Sequence, residues 1–64
     1  MKPRQELWAA IREAGLTQAE FGKIVGDDPA VVSRIVTGQQ VPSPARKIRY
    51  AKALSKRVGE LFTE

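Results

Sequence analysis

A chain of 64 residues forms one domain, near the lower size limit at which a single hydrophobic core folds unaided. It contains neither cysteine nor histidine, which removes disulfides, thiolate metal sites and the commonest general base. We therefore expect a non-enzymatic single domain over residues 1–64, with no metal, no other cofactor and no small-molecule ligand. The polar N-terminus and the lack of any apolar run near the ~20 residues of a membrane span predict a cytoplasmic protein with no membrane partner.

The charge distribution is uneven along the chain. The net charge is +4 and the isoelectric point is near 10.0. Residues 1–28 carry slightly more acidic than basic side chains, whereas residues 29–59 carry no acidic side chain at all. The basic residues of this second segment are Arg34, Arg46, Lys47, Arg49, Lys52, Lys56 and Arg57. A solvated helix face is one interpretation, but so long a segment without acids favours binding to a polyanion.

The first two predicted helices are marked by apolar spacing and by capping residues. A stripe with helical period predicts the first helix over Pro3 to Ala14, ending at Gly15. Its members are Leu7, Ala10, Ile11 and Ala14. Thr17 and Glu20 have the spacing of a capping box, which predicts the start of a second helix. We expect this helix to bury Phe21 and Val25 and to stop at Gly26.

The remaining predicted helices begin at two similar signals. Asp28-Pro29 and Ser43-Pro44 each place a capping side chain before a proline, which predicts helix starts at both positions. The third helix is expected to end at Gly38, with a loop over residues 39–42, and a short fifth helix is expected around 58–62. The expected core positions are Val32, Ile35 and Val36 on the third helix and Ile48, Ala51 and Leu54 on the fourth. The fold class is therefore a compact all-α domain of five helices.

The tight glycine-bearing connection between the second and third helices is typical of a helix-turn-helix. The segments that carry a more specific resemblance are Leu16–Gly22 (LTQAEFG), Val25-Gly26, Val32–Ile35 (VSRI), Gly38, Pro42-Ser43, Ala51–Leu54 (AKAL) and Glu60–Phe62. In their joint spacing they resemble the Cro and repressor-type helix-turn-helix family, also called lambda-repressor-like or XRE. The resemblance covers nearly the whole chain.

The resemblance implies that the third helix reads bases in the major groove of DNA. Pro29, Ala30, Ser33 and Arg34 match the positions from which family members reach base edges. Arg34 is the strongest candidate because a guanidinium can bond guanine O6 and N7 together, although a phosphate contact or a surface ion pair is the alternative. Gln18 resembles the family glutamine that bonds a phosphate and braces the recognition helix, and is otherwise an exposed helix former.

Further candidates follow the recognition helix. Thr37, Gln39 and Gln40 are candidate phosphate contacts, or else a solvated turn. Arg46 and Lys47 lie in the first turn of the fourth helix, where the family often contacts the DNA backbone. Asp28, the expected cap of the third helix, completes the candidate DNA-binding set.

Three features depart from the family pattern. Asp27 stands where the family usually has an apolar plug, and we expect it to be exposed and, with Asp28, to weaken DNA binding. Positions 29–31 of the recognition helix offer few hydrogen-bonding side chains, so selectivity from this helix alone is hard to achieve. Ile11 and Val36 replace an arginine and a glutamate of the family, and we expect the two side chains to touch.

These observations predict a small Cro-type transcriptional regulator, with repression as the expected effect, that binds double-stranded DNA as a weak homodimer. Trp8 is expected to be partly exposed, and with Leu61 and Phe62 it could form the patch for self-association. The alternative is a helix-turn-helix fold that binds mainly protein, such as an antitoxin or an inhibitor partner, which Asp27, Asp28 and an apolar Val31 favour.

Overall fold

A computed structural model describes residues 3–62, and within them the chain forms five helices and no strand. The helices are α1 (Gln5–Glu13), α2 (Gln18–Val25), α3 (Pro29–Thr37), α4 (Pro44–Leu54) and α5 (Val58–Leu61). Together they measure 24 × 23 × 20 Å along the principal axes. The all-α class is thus confirmed. No helix in this part of the chain has the length and apolar character needed to cross a membrane.

Three capping signals act as predicted. The Thr17 hydroxyl accepts from Glu20 N–H at 3.1 Å, while Glu20 Oε1 accepts from Thr17 N–H at 2.9 Å. Asp28 Oδ1 accepts from the N–H of Ala30, and Ser43 Oγ from that of Arg46. Each bond satisfies a backbone donor that the first helical turn leaves unpaired. The three helix starts are therefore fixed by local side chains.

Glycines set the turn between α2 and α3. Gly26 has φ +80°, a left-handed conformation that ends α2 without steric cost. Gly22 lies inside α2, and a Cβ there would come within 2.6 Å of the main-chain oxygen of Asp27. Because that neighbour is backbone, which cannot rotate away, only glycine permits this close approach. The two glycines bring the turn back against α2 and place α3 beside it.

The core is built from apolar side chains of all five helices. It comprises Leu7, Ala10, Ile11, Phe21, Val25, Val32, Ile35, Val36, Tyr50, Ala51, Leu54, Leu61 and Phe62. Tyr50 and Phe21 meet edge to face with ring centroids 4.9 Å apart, which joins α4 to α2. Ile11 and Val36 are 0% and 6% exposed within this core, so both are buried as an apolar replacement requires. Their direct contact stays a prediction.

The expected start of α1 and the expected burial of Ala14 are wrong, whereas Gly15 follows the end of the helix in the predicted left-handed conformation. The helix begins at Gln5 rather than Pro3, because the Arg4 N–H donates to Val36 O at 2.8 Å and ties the preceding chain to α3. Ala14 is exposed instead of buried, since the chain turns away at Gly15, where φ is +74°. Leu16, beyond that turn, packs against the core in its place.

Two further expectations about packing are wrong. Ile48 is 49% exposed, and Tyr50 takes the core position on α4 because its hydroxyl finds a partner in Asp27. Leu61 and Phe62 are buried in the core, so they cannot form a surface patch with Trp8. Trp8 itself is 40% exposed, which confirms its expected partial exposure.

Candidate nucleic-acid interface

The outward face of α3 carries four of the candidate residues. Ala30, Ser33, Arg34 and Thr37 recur at spacings of three, four and seven residues, so they share one side of the helix. Val32, Ile35 and Val36 occupy the opposite, buried side. Ala30, Arg34 and Thr37 are exposed and Ser33 is half-buried. Three candidate base-reading residues and the candidate phosphate contact Thr37 therefore form one continuous stripe on the surface.

The N-terminal end of this stripe is apolar. Pro29 occupies the first turn of α3 and is exposed, as is Ala30 beside it. The Asp28 carboxylate accepts a hydrogen bond through Oδ1 from the backbone N–H of Ala30 at 2.9 Å. The helix thus presents methylene and methyl groups at its start, where an apolar contact with a thymine methyl is the available recognition chemistry.

Arg34 is oriented by the loop that follows α3. Its Nε donates to Gln40 Oε1 at 3.3 Å, and the backbone N–H groups of Gln39 and Gln40 donate to Arg34 O. Gly38, with φ +88°, makes this reversal of the chain possible. Because the bond to Gln40 uses Nε alone, both terminal nitrogens of Arg34 stay available for a bidentate contact.

The C-terminal end of α3 is held from beneath by Arg4. This side chain belongs to a residue that is only 6% exposed, and its Nη1 donates to Ile35 O at 2.6 Å and to Gln40 O at 3.1 Å. A guanidinium at this place adds a charged donor to carbonyls of the helix end and of the following loop, and it complements the negative end of the helix dipole. Sequence reasoning missed Arg4, because its partners lie 31 and 36 residues further along the chain.

Gln18 lies at the start of α2, close to the end of α3. Together with Trp8, Val36 and Thr37 it lines a groove of about 230 Å³ between three helices. The Thr37 hydroxyl donates to Ser33 O at 2.9 Å, so its oxygen remains able to accept. Gln18 and Thr37 are therefore neighbours on one edge of the candidate interface, and the bracing role of Gln18 stays a prediction.

Asp27 contradicts the expectation of an exposed carboxylate. Its side chain is 7% exposed and has three partners on α4. Tyr50 Oη donates to Oδ2 at 2.8 Å, and Arg49 Nη2 donates to Oδ1 at 3.3 Å. Arg46 Nε lies 3.0 Å from Oδ2 as an ion pair without hydrogen-bond geometry, while its Nη2 donates to Oδ1 at 3.4 Å. We call these four residues the Asp27 cluster.

The cluster explains how a carboxylate replaces an apolar plug. A buried charge is costly unless it is paired and hydrogen-bonded, and Asp27 is both. Burial and the hydrogen bond to Asp27 raise the pKa of Tyr50 well above its ordinary value, so the phenol remains a donor. At the opposite end of α2, hydrogen bonds from Thr17 lower the pKa of Glu20. The buried carboxylate of Asp27 is therefore compatible with the tight turn between α2 and α3.

The two basic candidates of α4 differ in their surroundings. Arg46 is 27% exposed at its side chain and belongs to the Asp27 cluster. Lys47 is half-buried, and its Nζ lies 5.7 Å from the centre of the Phe62 ring, a cation–π contact. Arg49, which was not a candidate, is half exposed and stands one helical turn from Arg46. The first half of α4 thus carries three cations, of which Arg46 and Arg49 lie at the turn.

Comparison with known proteins agrees with this geometry. A model of the helix-turn-helix family matches residues 9–61. Searches of curated proteins and of solved structures found no significant match. The matched range includes α2, the turn and α3, together with all the residues that carry the sequence resemblance except Phe62. The chain therefore belongs to the Cro and repressor-type helix-turn-helix family of DNA-binding regulators.

Proposed function

We propose that this protein binds specific sequences of double-stranded DNA with α3 in the major groove and represses transcription. The observation that carries the proposal is the outward stripe of α3, in which Arg34 is exposed and oriented by Gln40. The major groove is about 12 Å wide and admits one α-helix. A second support is the segment of residues 29–59, which carries seven basic side chains and no carboxylate side chain.

The candidate residues divide into two roles. Arg34 reads a guanine through its terminal nitrogens, Ser33 bonds a neighbouring base, and Pro29 and Ala30 touch a thymine methyl. The phosphate contacts come from both sides of α3: Gln18, Thr37, Gln39, Gln40, Arg46 and Lys47. Asp28 keeps its role as the cap of α3 and so fixes the start of the helix that enters the groove.

The size of α3 favours binding by two copies. Nine helical residues extend over about 14 Å, which equals about four base-pair steps along one strand. So short a contact reads only a half-site, and a two-fold dimer on two half-sites supplies the missing selectivity. We propose a weak homodimer that assembles on DNA.

A binding competition tests the main proposal. Arg34→Ala is expected to weaken binding to the preferred duplex by about 1–3 kcal/mol and to flatten the preference at one base pair. Lys47→Ala is expected to weaken binding to all duplexes alike and to lower the salt slope by about one. Lys52→Ala, an exposed lysine on the later half of α4, is the matched control. If all duplexes bind equally and Arg34→Ala changes only the salt slope, specific recognition by α3 is wrong.

The three residues that favoured a protein-binding module, Asp27, Asp28 and Val31, all have structural roles within the domain. The charge of Asp27 is paired within its cluster, and Val31 packs against the core. Asp28 serves as a helix cap. A protein-binding module would show weak DNA affinity, a shallow salt slope and no greater effect of Arg34→Ala than of Lys52→Ala, so the same competition distinguishes the two functions.

A further inference from the structure

The Asp27 cluster lies next to the start of the recognition helix. Asp27 immediately precedes Asp28, the cap of α3, and its three partners all come from α4. Arg46, Arg49 and Tyr50 are spaced by three and four residues, so they share the face of α4 that meets the turn. The cluster is therefore fixed to both helices at the end of α3 that the proposed function places in the groove.

The charges of the cluster do not cancel. Two guanidinium groups surround one carboxylate, which leaves the cluster itself with one net positive charge, while Asp28 outside it keeps its own negative charge as the cap of α3. Tyr50 adds none, because its raised pKa keeps the phenol neutral. The two acidic residues of the turn were expected to repel DNA, but the carboxylate of Asp27 is 7% exposed and lies behind the arginines. The surface that the cluster offers to solvent is cationic.

Arg49 keeps most of its donors. It gives one N–H of Nη2 to Asp27, and its side chain is 50% exposed. Within residues 3–62 its remaining N–H groups have no protein partner. A guanidinium presents five N–H donors in a planar fork that matches phosphate geometry. Since one edge is held by Asp27, the group is already oriented before any ligand arrives.

We propose that Arg49, assisted by Arg46, binds a backbone phosphate of duplex DNA beside the start of α3, and that Asp27 is the positioning residue that holds both arginines there. This inference rests on the proposed function, since it takes α3 to lie in the groove. It reverses the expected role of Asp27, which strengthens DNA binding by arranging cations instead of opposing it by repulsion.

The phosphate contact is tested with two variants of equal charge change. Arg49→Gln and Lys52→Gln each remove one cation from α4, and affinity for a selected duplex and for a random duplex is measured over a series of salt concentrations. We expect Arg49→Gln to weaken both duplexes several-fold and to lower the salt slope by about one. Lys52→Gln is expected to change both quantities less. Equal effects of the two variants would overturn the phosphate site.

The positioning role needs a double-mutant cycle, with folding checked by thermal melting. In an Asp27→Asn background Arg49 loses its charged anchor, so Arg49→Gln is expected to have a much smaller effect than in the parent protein. Independent effects of the two substitutions, or tighter DNA binding by Asp27→Asn, would overturn the role of Asp27. If Asp27→Asn does not fold, Asp27→Glu replaces it, because it keeps the charge and moves the carboxylate by one methylene.

Failure of this inference is distinguishable from failure of the proposed function. If Arg34→Ala flattens the preference at one base pair while Arg49→Gln matches Lys52→Gln, the helix reads DNA but the Asp27 cluster is not a phosphate site. If no duplex is preferred and Arg34→Ala has no specific effect, α3 does not read bases, and the inference falls with the proposed function.

Discussion

The two ends of α3 are held by different chemistry. At the start, Asp27 receives bonds from side chains of α4 that are partly open to solvent. At the end, the buried Arg4 side chain bonds main-chain oxygens of α3 and of the following loop, while Ile11 of α1 and Val36 of α3 are buried in the core. One attachment consists of charged side chains at a surface, and the other of a buried cation on backbone carbonyls.

This difference in chemistry indicates how rigidly each end of α3 is held. Ion pairs near a surface are screened by salt and contribute little each, whereas hydrogen bonds from a buried charge to carbonyls are costly to lose. The end of α3 at Arg4 therefore sets the position of the helix. The end at Asp27 can respond to a polyanion, because its arginines have donors to spare. Substitutions at the two ends should accordingly have different effects on stability and on DNA binding.

The largest effect is expected at the buried end. Ile11→Arg would place an unpaired charge at a fully buried position and is expected to lower the free energy of unfolding by more than about 4 kcal/mol. A domain of this size has only about 3–10 kcal/mol in total, so much of the protein would unfold. Urea titration followed by circular dichroism measures the loss.

Two further variants test whether the loss of stability in Ile11→Arg comes from an unpaired charge next to Val36. Adding Val36→Glu to Ile11→Arg is expected to recover part of the stability, because the two charges can pair if the positions touch. Ala9→Arg, on the exposed side of α1, is the control and is expected to change stability by no more than about 0.5 kcal/mol. A single Ile11→Arg variant that melts like the parent would show that the contact is absent.

The charged end should be less sensitive. Asp27→Ala removes the acceptor of the Tyr50 hydroxyl and is expected to cost about 1–3 kcal/mol, since the two arginines can turn to water. Asp28→Ala removes only the cap of α3 and is expected to cost about 0.5–2 kcal/mol. Chemical denaturation of both variants in one buffer tests this order. A larger loss for Asp28→Ala would mean that the cap, rather than the cluster, holds this end.

Tyr50 makes the charged end dependent on pH. Its folded-state pKa is raised, so above the ordinary tyrosine pKa of about 10 the unfolded chain loses a proton that the folded protein keeps. The stability from this proton is complete below that pH and falls as the pH rises. Tyr50→Phe is expected to lose about 1 kcal/mol at neutral pH and to show a smaller further decline above pH ~10. Parallel declines in the two proteins would contradict the hydroxyl's role.

Local signals made most of the fold predictable. The capping box at Thr17 and the proline starts at Pro29 and Pro44 act over a few residues, so the sequence alone locates them. The outward stripe of α3 follows in the same way from helical period. The residues of the candidate interface on α3 could therefore be chosen without a structure.

The main failures at the candidate site involve partners far apart in the chain. Asp27 was expected to be exposed, because a carboxylate in a turn gives no sign that Tyr50 and two arginines, 19 to 23 residues later, will enclose it. Arg49 was overlooked for the same reason. In the sequence Arg4 is one polar residue of a polar N-terminus. Its burial depends on hydrogen bonds to carbonyls of α3 and the following loop. Tertiary pairing, rather than local preference, decides such positions.

The smallest expected effect connects the buried end of α3 to base reading. Arg4 holds the main chain of Gln40, and the Gln40 side chain accepts from Arg34 Nε at 3.3 Å. Gln40→Ala removes only this long, exposed bond, so we expect a loss of about 0.5 kcal/mol in binding to the preferred duplex. The preference at the base pair read by Arg34 should weaken partly, because the guanidinium is less well oriented.

Gln39→Ala is the matched control, since it removes a neighbouring exposed amide that does not contact Arg34 through its side chain. Binding to a panel of duplexes with each base at that position measures the difference. If Gln40→Ala weakens all duplexes equally, as expected of Gln39→Ala, the glutamine contacts phosphate only and the link from Arg4 to Arg34 has no part in recognition.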